Sequence, residues 1–252
     1  MTMTAADLAV FLAGAFVAAF VSGLSGFAYA LVSIAFWVWL FPLSEMTPLV
    51  LFGAVISQCV AVPSVWRTVD WPTLWPMLGA SLLGLPLGVW LIAHTDLELF
   101  RLSFGVLLIA YSAFQLAMGT RLRVEGGGKA ADAAIGAVGG VMGGLAGLTG
   151  AAPAVWGVLR GWDKQRHRGL MTILNSASQI IALVMVAYAG YIDSTTLWRW
   201  AWMLPCLISG AWIGTVATRR IPPESFRIVV LGLLLASGVV LTLQNGWRAI
   251  AG

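Results

Sequence analysis

The sequence predicts an all-α polytopic membrane protein built as two inverted-topology repeats, each a broken-helix hairpin plus three transmembrane helices. Three observations carry that expectation. Hydrophobic residues make up 60% of the chain and charged residues 10%, where soluble domains carry roughly 25% charged residues. Long apolar runs alternate with short polar loops, at lengths suited to a bilayer. The tetrapeptide Gly23-Leu24-Ser25-Gly26 has a near copy in Gly147-Leu148-Thr149-Gly150, and each interrupts an apolar run where an unbroken helix is expected.

The elements follow in order. Leu8 to Ser22 and Phe27 to Phe41 form the first hairpin, with both arms shorter than the roughly 20 residues of a full crossing. Met1 to Asp7 hold no Lys or Arg, so the first apolar run reads as a retained segment and not a cleaved signal. Pro42 ends the hairpin. Met46 to Val62 spans next, closed by Pro63, and the following loop holds Arg67 and Asp70 among Trp66, Trp71 and Trp75, which suit an interface belt. Leu74 to Ala93 and Phe100 to Met118 complete a first repeat over 7–118. A polar linker, 119–131, contains Gly126-Gly127-Gly128 and lacks the preceding strand and GK[ST] ending of a phosphate loop. The second repeat, 132–244, opens with Ala133 to Ala146, where Gly136, Gly140 and Gly144 form a close-packing ladder. Pro153 to Leu159 is its short second arm, the basic loop Arg160 to Arg168 follows, and Leu170 to Ala189, Leu197 to Thr218 and Phe226 to Leu243 are the last spans.

The halves align on three ordered anchors. Gly23 matches Gly147 at an offset of 124; Ser57-Gln58 matches Ser178-Gln179 at 121; Gly84, Gly88, Phe100 and Arg101 match Gly210, Gly214, Phe226 and Arg227 at 126. An internal duplication accounts for this. A hairpin plus three spans makes an odd number of crossings, so the second copy is inverted. Lys and Arg concentrate in the loops around Arg121, Arg160 and Arg219, which places those loops in the cytoplasm and both termini outside.

Broken helices at matching positions point to a secondary transporter and to its binding site. Backbone freed from a helix at membrane depth survives only where protein covers it or a polar cavity wets it. Amides released at Gly23, Gly26, Gly147 and Gly150 make a seat for an anion, with Ser25 and Thr149 adding hydroxyls. Ser57, Gln58, Asn175, Ser178 and Gln179 lie midway along the following spans and are candidate wall residues, or else hydrogen-bonding glue between helices. No Asp, Glu or His falls at mid-span, so no carboxylate proton relay is visible, and Cys59, Cys206, His94 and His167 read as packing or interface residues with no metal site. There is no HExxH, GxSxG, CxxC or Walker pattern, which leaves an enzyme without support and implies no cofactor. The net charge of +4 sits in short loops and does not indicate nucleic acid. An anion or small-solute channel and a non-transporting membrane assembly protein remain alternatives, and homo-oligomerisation stays open.

The stretch Gly144-Leu145-Ala146-Gly147-Leu148-Thr149-Gly150-Ala151-Ala152-Pro153, the loop Gly161-Trp162-Asp163-Lys164-Gln165-Arg166-His167-Arg168 and the following Asn175-Ser176 resemble the TauE/SafE family of membrane permeases, the sulfite exporters. The resemblance covers nearly the whole chain. It implies transport of small sulfur-containing anions such as sulfite or organosulfonates across the bacterial inner membrane, and it adds Pro153 to the candidate site. The first half lacks the proline after its break, so the second break carries the stronger expectation.

Overall fold

In the computed structural model the described residues are 3–118, 124, 126–217 and, further on, 231, 232, 234, 235, 238, 239, 242 and 243. They are helical throughout: α1 (Ala5–Ser25), α2 (Tyr29–Trp37), α3 (Leu43–Val65), α4 (Trp71–His94), α5 (Leu97–Met118), α6 (Gly128–Ala146), α7 (Ala151–Leu159), α8 (Lys164–Tyr188) and α9 (Ser194–Ala217). Six segments, formed by α1, α3 with the 3₁₀ turn after it, α4, α5, α8 and α9, are long and apolar enough to cross a membrane. The expected last span, Phe226 to Leu243, and its anchors Phe226 and Arg227 lie outside the continuously described residues.

Local chemistry sets the helix starts. Thr4 and Asp7 form a reciprocal capping box at α1. Asp163 caps α8 by accepting from the amides of Gln165 and Arg166, and the Arg166 amide leads in holding its carboxyl below the usual carboxylate range. Asp70 and Asp193 precede α4 and α9, each bonded to a threonine three residues on. Proline does not end α3 at Pro63 as the sequence suggests, because the helix runs on to Val65.

The hairpins are lopsided. α1 has 21 residues and α6 has 19, whereas α2 and α7 have 9 each. The first arm is therefore long enough to cross, correcting the expectation of two short arms. Nine residues reach only about 14 Å, roughly half of the hydrocarbon thickness. The first break also lies three residues later than expected. Gly23 is inside α1, and the helix ends at Gly26 with φ +88°, while α6 ends at Gly147 with φ +72°. Both are left-handed helix caps, the conformation that favours glycine. Gly147 follows Gly26 by 121 positions, the same interval that separates Gln58 from Gln179. Gly23-Leu24-Ser25-Gly26 thus corresponds to Gly144-Leu145-Ala146-Gly147, and Tyr29 to Gly150.

Packing repeats on that register. α4 lies against α6 so closely that a Cβ on Gly84 would stand 2.4 Å from the Ala137 carbonyl, on Gly88 2.1 Å from that of Val141, and on Gly144 2.4 Å from that of Leu85. α9 meets α1 in the same way, through Gly210 on Phe16, Gly214 on Phe20 and Gly23 on Ala211. Each contact in the second set is its counterpart in the first shifted by the intervals of 121 and 126. Ion pairs also cross between halves: Glu45 of α3 with Arg199 of α9 at 2.7 Å, and Arg166 of α8 with Asp70 before α4. Trp66, Trp71 and Trp75 are exposed and touch one another in series. Cys59 is exposed and Cys206 half-buried, and both are free.

A Cβ at Gly140 would fall 2.0 Å from the Ser81 carbonyl, while one at Gly79 meets nothing within 4 Å. Gly140→Ala is expected to destabilise the bundle by about 1–3 kcal/mol through overpacking. Gly79→Ala is expected to be neutral or stabilising by up to about 1 kcal/mol. Thermal unfolding of the purified protein in detergent separates the two.

Candidate functional site

The ends of α1 and α6 release carbonyl groups inside the bundle, where each needs a donor. Side chains supply it in a repeated pattern. Gln58 Nε2 donates to the Gly26 carbonyl at 2.9 Å, and Gln179 Nε2 to the Gly147 carbonyl at 3.0 Å, with 32 residues between partners in each case. A second donor comes from the opposite half: Arg168 Nη2 reaches the Gly23 carbonyl at 3.0 Å, and Thr47 Oγ1 the Leu145 carbonyl at 2.8 Å. Arg168 and Thr47 are themselves 121 positions apart.

The two breaks meet beside α8. A Cβ on Gly26 would touch Thr172 Oγ1 at 2.9 Å and Arg168 Cγ at 3.1 Å; one on Gly150 would touch the Asn175 amide at 2.7 Å and Phe27 Cβ at 3.0 Å. Phe27 is the residue after the first break, so the breaks adjoin across the Asn175 side chain. Arg168, Thr172, Asn175 and Gln179 recur at helical spacing and form one polar stripe of α8. Their counterparts on α3 are Thr47, Leu51, Ala54 and Gln58, so only the second half keeps the whole stripe polar.

The breaks differ in how their polar groups are satisfied. At the first, Ser25 Oγ donates to the Val21 carbonyl at 2.8 Å and accepts from the amides of Phe27 and Ala28 at 3.4 and 3.2 Å. Ser25 thus ties the turn between the helices, although α2, like α7, starts without a side-chain cap. At the second, α7 starts at Gly150 with no side-chain cap, and Thr149 Oγ1 is buried, directed at Gly143, without a hydrogen-bond partner. Tyr29, the counterpart of Gly150, is fully buried and presses its hydroxyl on Gly53. Pro153 lies against Gly139 near Thr149.

The other expected wall residues are buried. Ser57 Oγ donates to the Gly53 carbonyl at 2.7 Å along its own helix, whereas Ser178 Oγ sits 3.0 Å from Ser81 Oγ and links α8 to α4. Asn175 Nδ2 donates to the Met171 carbonyl at 2.8 Å. Gly23 faces the Ala211 carbonyl of α9, at a helix contact. Arg168, Thr172, Thr47 and Ser81 escaped the sequence reading. Arg168 was counted as a loop charge, yet it stands in the second turn of α8, and the spacing 168, 172, 175, 179 was the signal that could have found it. His167 is half-buried over Gly157, its ring 6.0 Å from that of Phe27. Among the described residues no three His, Cys, Asp or Glu side chains gather as for a metal. A separate cavity of about 610 Å³ opens where the N-terminal ends of α1, α3 and α9 converge, lined by Asp7, Glu45, Asp193 and Arg199 among others.

Six membrane-length helices among the described residues fit a multi-pass membrane protein, and its relatives make it a transporter, not an enzyme. The chain belongs to the sulfite exporter TauE/SafE family, whose profile matches residues 10–241. A probable inner membrane transporter protein TsaS from Comamonas testosteroni is 28% identical over 188 residues, covering 73% of this chain and 76% of that protein. No solved structure matches the chain.

Gln58→Leu and Gln179→Leu each leave a buried carbonyl without its donor, and each is expected to cost about 1–3 kcal/mol. A smaller loss than about 0.5 kcal/mol in detergent unfolding, for both variants, would count against these bonds as supports of the helix ends.

Proposed function

We propose that this protein is a secondary transporter that moves a small sulfur-containing anion, such as sulfite or an organosulfonate, across the inner membrane by alternating access. The site is a midplane pocket between the two breaks. Thr149 and Gly150 contact the cargo, Gly26, Gly147 and Pro153 shape the breaks, and Asn175, Ser178 and Gln179 line the wall. Gln58, Ser57, Ser25 and Gly23 hold the first half of the frame. The observation that carries this reading is the second break itself: an uncapped helix start beside a buried, unpartnered Thr149 hydroxyl and the Asn175 amide. An anion placed there would find helix-end amides and a hydroxyl donor without a dedicated carboxylate to repel it. Family membership and the transporter relative support transport.

The repeats, 7–118 and 132–244 joined by 119–131, are inverted, with both termini external. Cross-packing supports this, since α1 with α9 and α6 with α4 are the same contact made twice with the halves exchanged. A pseudo-two-fold of that kind gives two alternative packings of nearly equal energy, as alternating exposure requires.

Proteoliposomes holding the purified protein are expected to show saturable uptake of radiolabelled sulfite or isethionate with counterflow exchange. Thr149→Val is expected to cut the rate about tenfold while the protein still folds, as loss of one hydrogen bond to a charged group would. Absence of protein-dependent flux for both compounds refutes the substrate assignment.

A further inference from the structure

Three amide oxygens around the breaks have no partner among the described residues. Gln58 Oε1, Asn175 Oδ1 and Gln179 Oε1 are buried and accept no hydrogen bond, and neither do the hydroxyls of Thr149 and Thr172. The orientation of each amide is fixed by its other end, because Nε2 of Gln58, Nδ2 of Asn175 and Nε2 of Gln179 all donate to main-chain carbonyls. Turning any of them would set oxygen against oxygen. The groups belong to one cluster. Gln58 and Thr172 flank Gly26, Asn175 lies over Gly150 against Phe27, and Gln179 holds Gly147 beside Thr149.

A cluster of that composition offers hydroxyls that can donate and amide oxygens that can only accept. A bare oxyanion has acceptors alone. Thr149, Thr172, the helix-end amides and the Arg168 guanidinium beside Gly26 would match it, but the three amide oxygens would oppose it, and it would strip them of any water they hold. We infer that the site selects oxyanions carrying a hydrogen-bond donor of their own: the monoprotonated form of a dibasic acid such as sulfite, or a sulfonate bearing a hydroxyl or ammonium group. The inference rests on the midplane reading given above and narrows its cargo class. Sites built to satisfy buried polar groups discriminate strongly against analogues that lack the matching group.

Two sulfonates of equal heavy-atom count test it directly. Isethionate ends in a hydroxyl where 1-propanesulfonate ends in a methyl. Binding is read on the purified protein from ligand-dependent shifts in melting temperature across a concentration series. Isethionate is expected to bind at least about tenfold more tightly, the effect of one retained hydrogen bond. Asn175→Leu is expected to pull that ratio toward one by weakening isethionate and sparing 1-propanesulfonate. If Asn175→Leu does not fold, sulfite supplies the second reading: its apparent affinity in total concentration should fall as pH rises through its second ionisation. Equal binding of the two sulfonates, binding of neither, or tighter binding of 1-propanesulfonate overturns the inference. Isethionate preference without protein-dependent flux of either sulfite or isethionate in proteoliposomes would uphold the site chemistry while refuting the transport reading.

Discussion

A main-chain carbonyl released from a helix inside a bundle of apolar segments has to find a donor, and this structure is organised around four such groups. Gly23 and Gly26 at the end of α1, and Leu145 and Gly147 at the end of α6, each receive a side-chain hydrogen bond from α3 or α8. Lipid offers nothing in their place. The donors therefore determine where the long helices can stop, and the stops leave room for the nine-residue helices α2 and α7. The glutamine bonds tie each break to its own half, while Arg168 and Thr47 tie it to the other. Neither hairpin is held by local chain alone.

Close backbone approach supplies the second constraint. Water does not drive helices together within a membrane, so contact depends on how near the backbones come. Gly84 and Gly88 on α4 and Gly210 and Gly214 on α9 let carbonyl oxygens sit where a Cβ would otherwise stand. Because the same register serves both pairs, the halves are bound to each other more intimately than to their own remaining helices. The ion pairs Glu45–Arg199 and Asp70–Arg166 add two further links between the halves, α3 to α9 and α8 to the start of α4.

Much of this was legible in the sequence. Apolar run lengths gave the spans, and duplicated glycines gave the breaks, since both signals are local. The register at the break was not. The second half contains two overlapping candidates, Gly144 to Gly147 and Gly147 to Gly150, and residue identity favours the latter because Thr149 resembles Ser25. Backbone geometry decides for the former, as only the residue in the left-handed conformation ends the helix, and that is Gly26 in one half and Gly147 in the other. Arg168 was missed because loop charge was read as a topology signal, although its spacing from Thr172 and Asn175 marks a single helical face. Ser81 gave no signal at all, since its counterpart in the second half is Leu207.

Duplication usually leaves paired positions free to share a task, but Tyr29 and Gly150 have divided it. Tyr29 is fully buried with its hydroxyl pressed on Gly53, while at Gly150 the Asn175 amide and Phe27 crowd the place where a Cβ would stand. A repeated frame thus carries unlike residues at its two kinks, so the two halves of the chain do not surround their breaks with the same chemistry.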